Sequence, residues 1–151
     1  MNLINEQLVE INSLLNCKEA VIKKVASLML SEKRINNLEG FIQDIYDREN
    51  QVSTSMGLGI AIPHTRSYYV QKPTLVFIKL KNEIQWNDDH VKLIFGIAVP
   101  NDQQCDIHLK ILSRLARKLM NLEFRNLLFQ IHDVKEACGV LDFINHEEKA
   151  G

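Results

Sequence analysis

The stretch Val91–Ala98, V-K-L-I-F-G-I-A, constrains the fold more than any other part of the chain. A strand that is apolar on both sides of its pleat must be covered on both faces, whereas a strand with one wet face alternates apolar and polar residues. A second run over residues 74–80, T-L-V-F-I-K-L, also reads as a strand, and a shorter one over about 59–62 stops at Pro63. Ile84-Gln85-Trp86 reads as a further short strand, and Pro100 closes the block. Such strands require helices on both sides, and helical patterns stand before and after them.

Three helix starts share one signal, a capping residue followed three positions later by glutamate. They are Asn16 with Glu19, Asn36 with Glu39, and Asp133 with Glu136. The first helix is predicted to run to about Leu30 and to bury Val21, Val25, Leu28 and Met29. The second presents Phe41, Ile42, Ile45 and Tyr46 and ends near Arg48. From Asp106 onward Ile107, Ile111, Leu112, Leu115 and Leu119 share one helical face, and helices over about 121–131 and 134–145 follow. The expected architecture is an α/β domain layered as helix, sheet, helix. At 151 residues the chain fits one domain, 1–151, with no linker or repeat. A chain of that length buries roughly 68–70% of its unfolded surface and needs no covalent staple.

Charge narrows the function classes. Eighteen basic and nineteen acidic residues leave a net charge of −1, which argues against an extended surface for nucleic acid or anionic membrane. The N-terminus M-N-L-I-N-E lacks the basic and apolar regions of a signal peptide, and the apolar runs are too short to cross a bilayer. Cys17, Cys105 and Cys138 are odd in number, widely spaced and without C-x-x-C, which suits a reducing cytoplasm.

The chemistry concentrates in G-L-G-I-A-I-P-H-T-R over 57–66. A short buried strand there delivers one imidazole, His64, to a rim. Neutral imidazole is a nucleophile near pH 7, and Pro63 limits the backbone on either side of it. A histidine that merely ends a strand is the plainer alternative. Ser53 and Thr54, with Gly57 and Gly59, can gather hydroxyl and backbone donors round an anion, or form an ordinary turn. Arg48 can hold phosphate oxygens or complement a helix C-terminus. His108, in the first turn of its helix, is kept neutral by the helix dipole or packs on Leu112 and Leu115. Cys105 with His108 spells C-x-x-H, and Asp88-Asp89-His90 lies upstream, but no second ligand pair stands at zinc spacing, so no metal site is assigned. Trp86 and Phe95 are core candidates. Arg114, Arg117 and Lys118 form a solvated helix face open to an acidic partner.

Residues 48–64, R-E-N-Q-V-S-T-S-M-G-L-G-I-A-I-P-H, closely resemble the active-site signature of the fructose/mannitol class of enzyme IIA, phosphocarrier domains of the bacterial phosphoenolpyruvate-dependent sugar phosphotransferase system. V-K-L-I-F-G-I-A-V-P and H-L-K-I-L-S-R-L-A resemble the family's second block, so the likeness spans essentially the whole chain. It implies a mixed parallel and antiparallel sheet between helices, a three-layer α/β/α sandwich. It implies that His64 accepts a phosphoryl group from the histidine-containing phosphocarrier protein and passes it to an enzyme IIB component. His108 would assist, and Arg48, Thr54 and Ser53 would bind phosphate. The membrane IIC component would be reached only indirectly, with no metal or organic cofactor and in the bacterial cytoplasm. Ser55, Leu58 and Thr65 depart from the family's common residues. The resemblance also admits a regulatory module whose phosphorylation state controls a target protein, and a metallohydrolase on His64, His90 and His108 is a remote third reading.

Overall fold

A computed structural model describes residues 2–101 and 107–146, with side chains in the second segment described from residue 110 onward. Five strands form one mixed sheet: β1 (Val9–Ser13), β2 (Ile60–Ala61), β3 (His64–Ser67), β4 (Thr74–Trp86) and β5 (Asp89–Pro100). Its order is β1-β4-β5, with β2 and β3 both on the far edge of β5. The β4–β5 pair is an antiparallel hairpin, while β1 on β4 and β2 and β3 on β5 are parallel. The 74–80 and 84–86 runs join into one 13-residue strand, and the pairing slips between Lys79 and Ile84. Phe77, Phe95 and Trp86 are fully buried within this sheet.

The helices are α1 (Lys18–Ser31), α2 (Leu38–Glu49), α3 (Ile107–Leu119), α4 (Leu122–Phe129) and α5 (Val134–Leu141), the last continued by a 3-10 turn to Asn145. They cover both faces of the sheet. Gly96 of β5 faces Val25 of α1 and pairs with Val76 of β4. Lys79, of opposite parity on β4, sends its ammonium to the Phe129 and Ile131 carbonyls at the end of α4. Alternation along a strand therefore puts α1 and α4 on opposite sides, the layering expected of two-sided strands. The predicted faces of α1 and α2 are those buried, with Ile22 and Ala26 added and Leu28, Ile42 and Tyr46 half-buried. On α3, Ile111, Leu115 and Leu119 are buried.

Two cap assignments need correction. Helix α1 starts from Cys17 rather than Asn16, with no side-chain cap. Helix α2 is capped by Asn37, whose side chain accepts the Gly40 N–H at 2.8 Å. Asn36 is held elsewhere, its N–H bonded to the Tyr69 carbonyl next to the Ile35–Val70 bridge. At α5 the expected Asp133 cap forms, accepting from Glu136 N–H at 2.7 Å. Strand β1 had no place in the sequence reading. Its five residues are too few to show a firm alternation, and its left-handed Asn12 (φ 56°) interrupts it.

Close packing at Gly96 gives a direct check. A Cβ there would stand 2.6 Å from a Val25 methyl. Gly96→Ala is expected to destabilise by about 1–3 kcal/mol through overpacking, and Val25→Ala in the same chain to recover part of that loss. Urea denaturation of the two variants measures both.

Candidate phosphoryl-acceptor site

The 60–67 segment pairs with β5 at one constant offset: Ile60 with Leu93, Ala61 with Ile94, His64 with Ile97, and on to Ser67 with Pro100. It is one parallel edge strand with a gap only where Pro63 has no N–H to give, since the Pro63 carbonyl accepts the Ile97 N–H at 3.0 Å. Proline has no N–H to give a ladder, so its place is an edge strand. The apolar run predicts a strand that ends before His64; instead His64 opens the strand's second half.

Ile62 is bound from the other side. Ile62 N–H donates to the Thr54 carbonyl at 3.0 Å. The Ile62 carbonyl lies 2.6 Å from His64 Nδ1. A carbonyl only accepts, so Nδ1 carries the proton and the lone pair of the neutral ring is on Nε2. The same contact limits how far the half-buried ring can turn.

Burial pushes the His64 pKa below the ordinary imidazole value, and Arg48 pushes the same way. The bond to Ile62, second to burial in size, and the charge of Glu49 act the other way, and burial prevails. The ring is thus neutral at the pH where a nucleophile is needed.

His64 opens on a recess of about 360 Å³ lined by Asp44, Asp47, Arg48 and Gln51 on one side and Thr65 and Arg66 on the other. Arg48 stands in the last turn of α2 and donates to the Val52 carbonyl at 3.0 Å. Asp44 accepts from Ser67 Oγ at 2.6 Å and so ties α2 to β3.

Ser53 and Thr54 are not among the residues lining this recess. Ser53 Oγ accepts the Ser55 N–H at 3.2 Å. Thr54, buried, donates its hydroxyl to Glu49 Oε1 and its N–H to Glu49 Oε2. Gly57, Leu58 and Gly59 are consecutive residues at positive φ, and they turn the chain back so that Met56 N–H meets the Ile60 carbonyl at 3.0 Å. The glycines serve this turn rather than the recess, and Leu58 keeps a left-handed φ of 60° without a glycine's freedom. His108 is the second residue of α3, but its side chain, like Cys105 and Asp106, lies outside the described residues. His90 is exposed on β5, opposite Gln85.

Two participants escaped the sequence reading. Arg66 brings a second guanidinium to the recess. Glu49, only 4% exposed, carries a buried carboxylate with a salt bridge to Lys18 Nζ at 3.0 Å. Its spacing from Phe41 and Ile45 already places it on the buried face of α2.

The recess thus brings together an edge-strand imidazole protonated on Nδ1 and the side chains of two arginines. The model of the family described as "Phosphoenolpyruvate-dependent sugar phosphotransferase system, EIIA 2" matches residues 2–144, and the chain belongs to that family. It is 32% identical over 127 residues to the PTS system fructose-specific EIIA component of Haloferax volcanii, covering 82% of each. It is 29% identical over 145 residues, 96% of its length, to multiphosphoryl transfer protein 2 of Escherichia coli K12, of which it spans 17%. The solved nitrogen regulatory protein IIA-Ntr of Neisseria meningitidis superposes with a TM-score of 0.84 at 24% identity, covering 92% of this chain and 96% of that one. Enzyme IIA of mannitol from Escherichia coli, solved in complex with phosphorylated enzyme IIB, superposes at 0.76 and 21% identity, covering 93% and 97%. The mixed sheet between helices is the fold these structures share.

The lowered His64 pKa carries a sign. The folded protein binds fewer protons than the unfolded chain, so the stability linked to His64 is full above about pH 6.5 and falls as pH drops through the folded value. An NMR titration of the ring is expected to show a midpoint below 6.5; a midpoint at or above it contradicts the site as described.

Proposed function

We propose that residues 1–151 act as one phosphocarrier domain in the cytoplasm, with His64 Nε2 as the acceptor. The observation that carries this reading is the His64 Nδ1–Ile62 contact at the rim of the Arg48 recess. The Nε2 lone pair attacks the phosphorus of a phosphohistidine on the histidine-containing phosphocarrier protein. A new N–P bond forms, the donor's N–P bond breaks, and its electron pair returns to the donor imidazole. The reverse geometry then delivers the group to an enzyme IIB component, the partner in the solved mannitol complex. Among the described residues no helix is long and apolar enough to cross a membrane.

The recess supports this chemistry by position and charge. Phosphoryl transfer asks mainly for alignment and for donors to the equatorial oxygens. The group brings about −1.5 to −2 charges by analogy with other phosphorylated side chains, and the guanidinium of Arg48 is assigned to them. Ser53, outside the recess, supports the turn beside Thr54 by accepting the Ser55 N–H. Thr54, its proton given to Glu49, serves the phosphate through the backbone it holds. His108 is assigned the assisting role. An open recess suits two protein partners that approach in turn, and transient interfaces are the consequence.

Incubation with phosphoenolpyruvate, enzyme I and the phosphocarrier protein tests the reading. An acid-labile phosphoryl group is expected on His64 and none on His64→Ala. Arg48→Ala is expected to slow acceptance by about 10- to 100-fold, the value of a charge-assisted hydrogen bond. His108→Ala is expected to slow it while labelling persists. Labelling that survives in His64→Ala contradicts the assignment.

A further inference from the structure

The Ile62 carbonyl that orients His64 lies on the outer side of the edge strand, away from β5. Pro63 turns its carbonyl to the Ile97 N–H of β5, and Ile62, of opposite parity, turns its N–H outward to the Thr54 carbonyl. On that outer side the Ile62 backbone is fixed through Thr54. Thr54 is braced by one carboxylate: Glu49 accepts both its N–H and its hydroxyl. Glu49 is in turn paired with Lys18, at the start of α1, whose side chain is 14% exposed against 1% for the carboxylate. Lys18 is itself located by Asn87 Oδ1 at 3.0 Å and by the Trp86 ring, 5.1 Å from its ammonium.

We propose that Glu49 and Lys18 are positioning residues for His64. The path runs from Lys18 to Glu49, Thr54, the Ile62 peptide and His64 Nδ1, each link a hydrogen bond or ion pair. An ionised carboxylate suits the task because it accepts from two donors of one residue and keeps capacity for the lysine. Without the lysine, a buried carboxylate would be left unpaired and would pull away from Thr54 towards water. The inference rests on the phosphocarrier reading of His64 for its consequence, although the geometry of the path does not.

The test uses the full chain labelled with ¹⁵N-histidine, unphosphorylated, alongside the phosphotransfer assay. The ring nitrogen shifts of His64 report which nitrogen carries the proton. The wild type is expected to hold the Nδ1–H form. Glu49→Gln and Lys18→Met are expected to mix the two tautomers and to slow phosphoryl acceptance about tenfold, while Lys18→Arg restores both. Thr54→Val keeps the backbone bonds and loses only the hydroxyl, so it reads the same path if a buried-charge variant fails to fold. It is expected to shift the tautomer balance in the same direction. Folded variants with an unchanged tautomer and an unchanged rate overturn the proposal. A changed tautomer in a protein that is never phosphorylated instead overturns the functional reading and leaves the positioning role standing.

Discussion

One hydrogen bond organises this molecule's chemistry: the 2.6 Å contact between His64 Nδ1 and the Ile62 carbonyl. It exists because Ile62 lies on an edge strand. Pro63 turns its carbonyl to the Ile97 N–H of β5, so alternation turns the N–H and carbonyl of Ile62 outward, to Thr54 and to the imidazole. The same register that buries Ile60 and Ala61 against β5 then carries His64 out to the recess. Fold and site thus share one piece of backbone.

Much of the fold is legible in the residues, for a physical reason. Two-sided strands such as β4 and β5 declare themselves by continuous apolar runs, and amphipathic helices by their stripe. Features set by tertiary partners are harder to read. The short β1 takes its parallel neighbour from across the chain. The caps of α1 and α2 each lie one residue beyond the matching motif, and at α2 a bridge at Ile35–Val70 claims the Asn36 backbone. Such competition between a local motif and a remote partner has no trace in a single segment.

The site divides in the same way. His64 and Arg48 are visible as chemistry-bearing residues beside Pro63 and a helix end, and both line the recess. Thr54 was readable as a hydroxyl near an anion, yet its hydroxyl turns to a buried acid. Glu49 was hidden because a glutamate at a helix end reads as solvated, and only its spacing from Phe41 and Ile45 says otherwise. The glycines, plausible as an anion cradle, serve a tight left-handed turn. Sequence shows which groups can act; packing decides which of them face the recess and which brace it.

In the proposed phosphocarrier the Ile62 carbonyl holds the proton on Nδ1, and Nε2 takes the phosphoryl group. Phosphorus–nitrogen coupling in the ³¹P and ¹⁵N spectra of the phosphorylated protein reads this directly. A phosphoryl group on Nε2 of His64, with Nδ1 still protonated, is the expected result; a group on Nδ1 would overturn the assignment of Nε2.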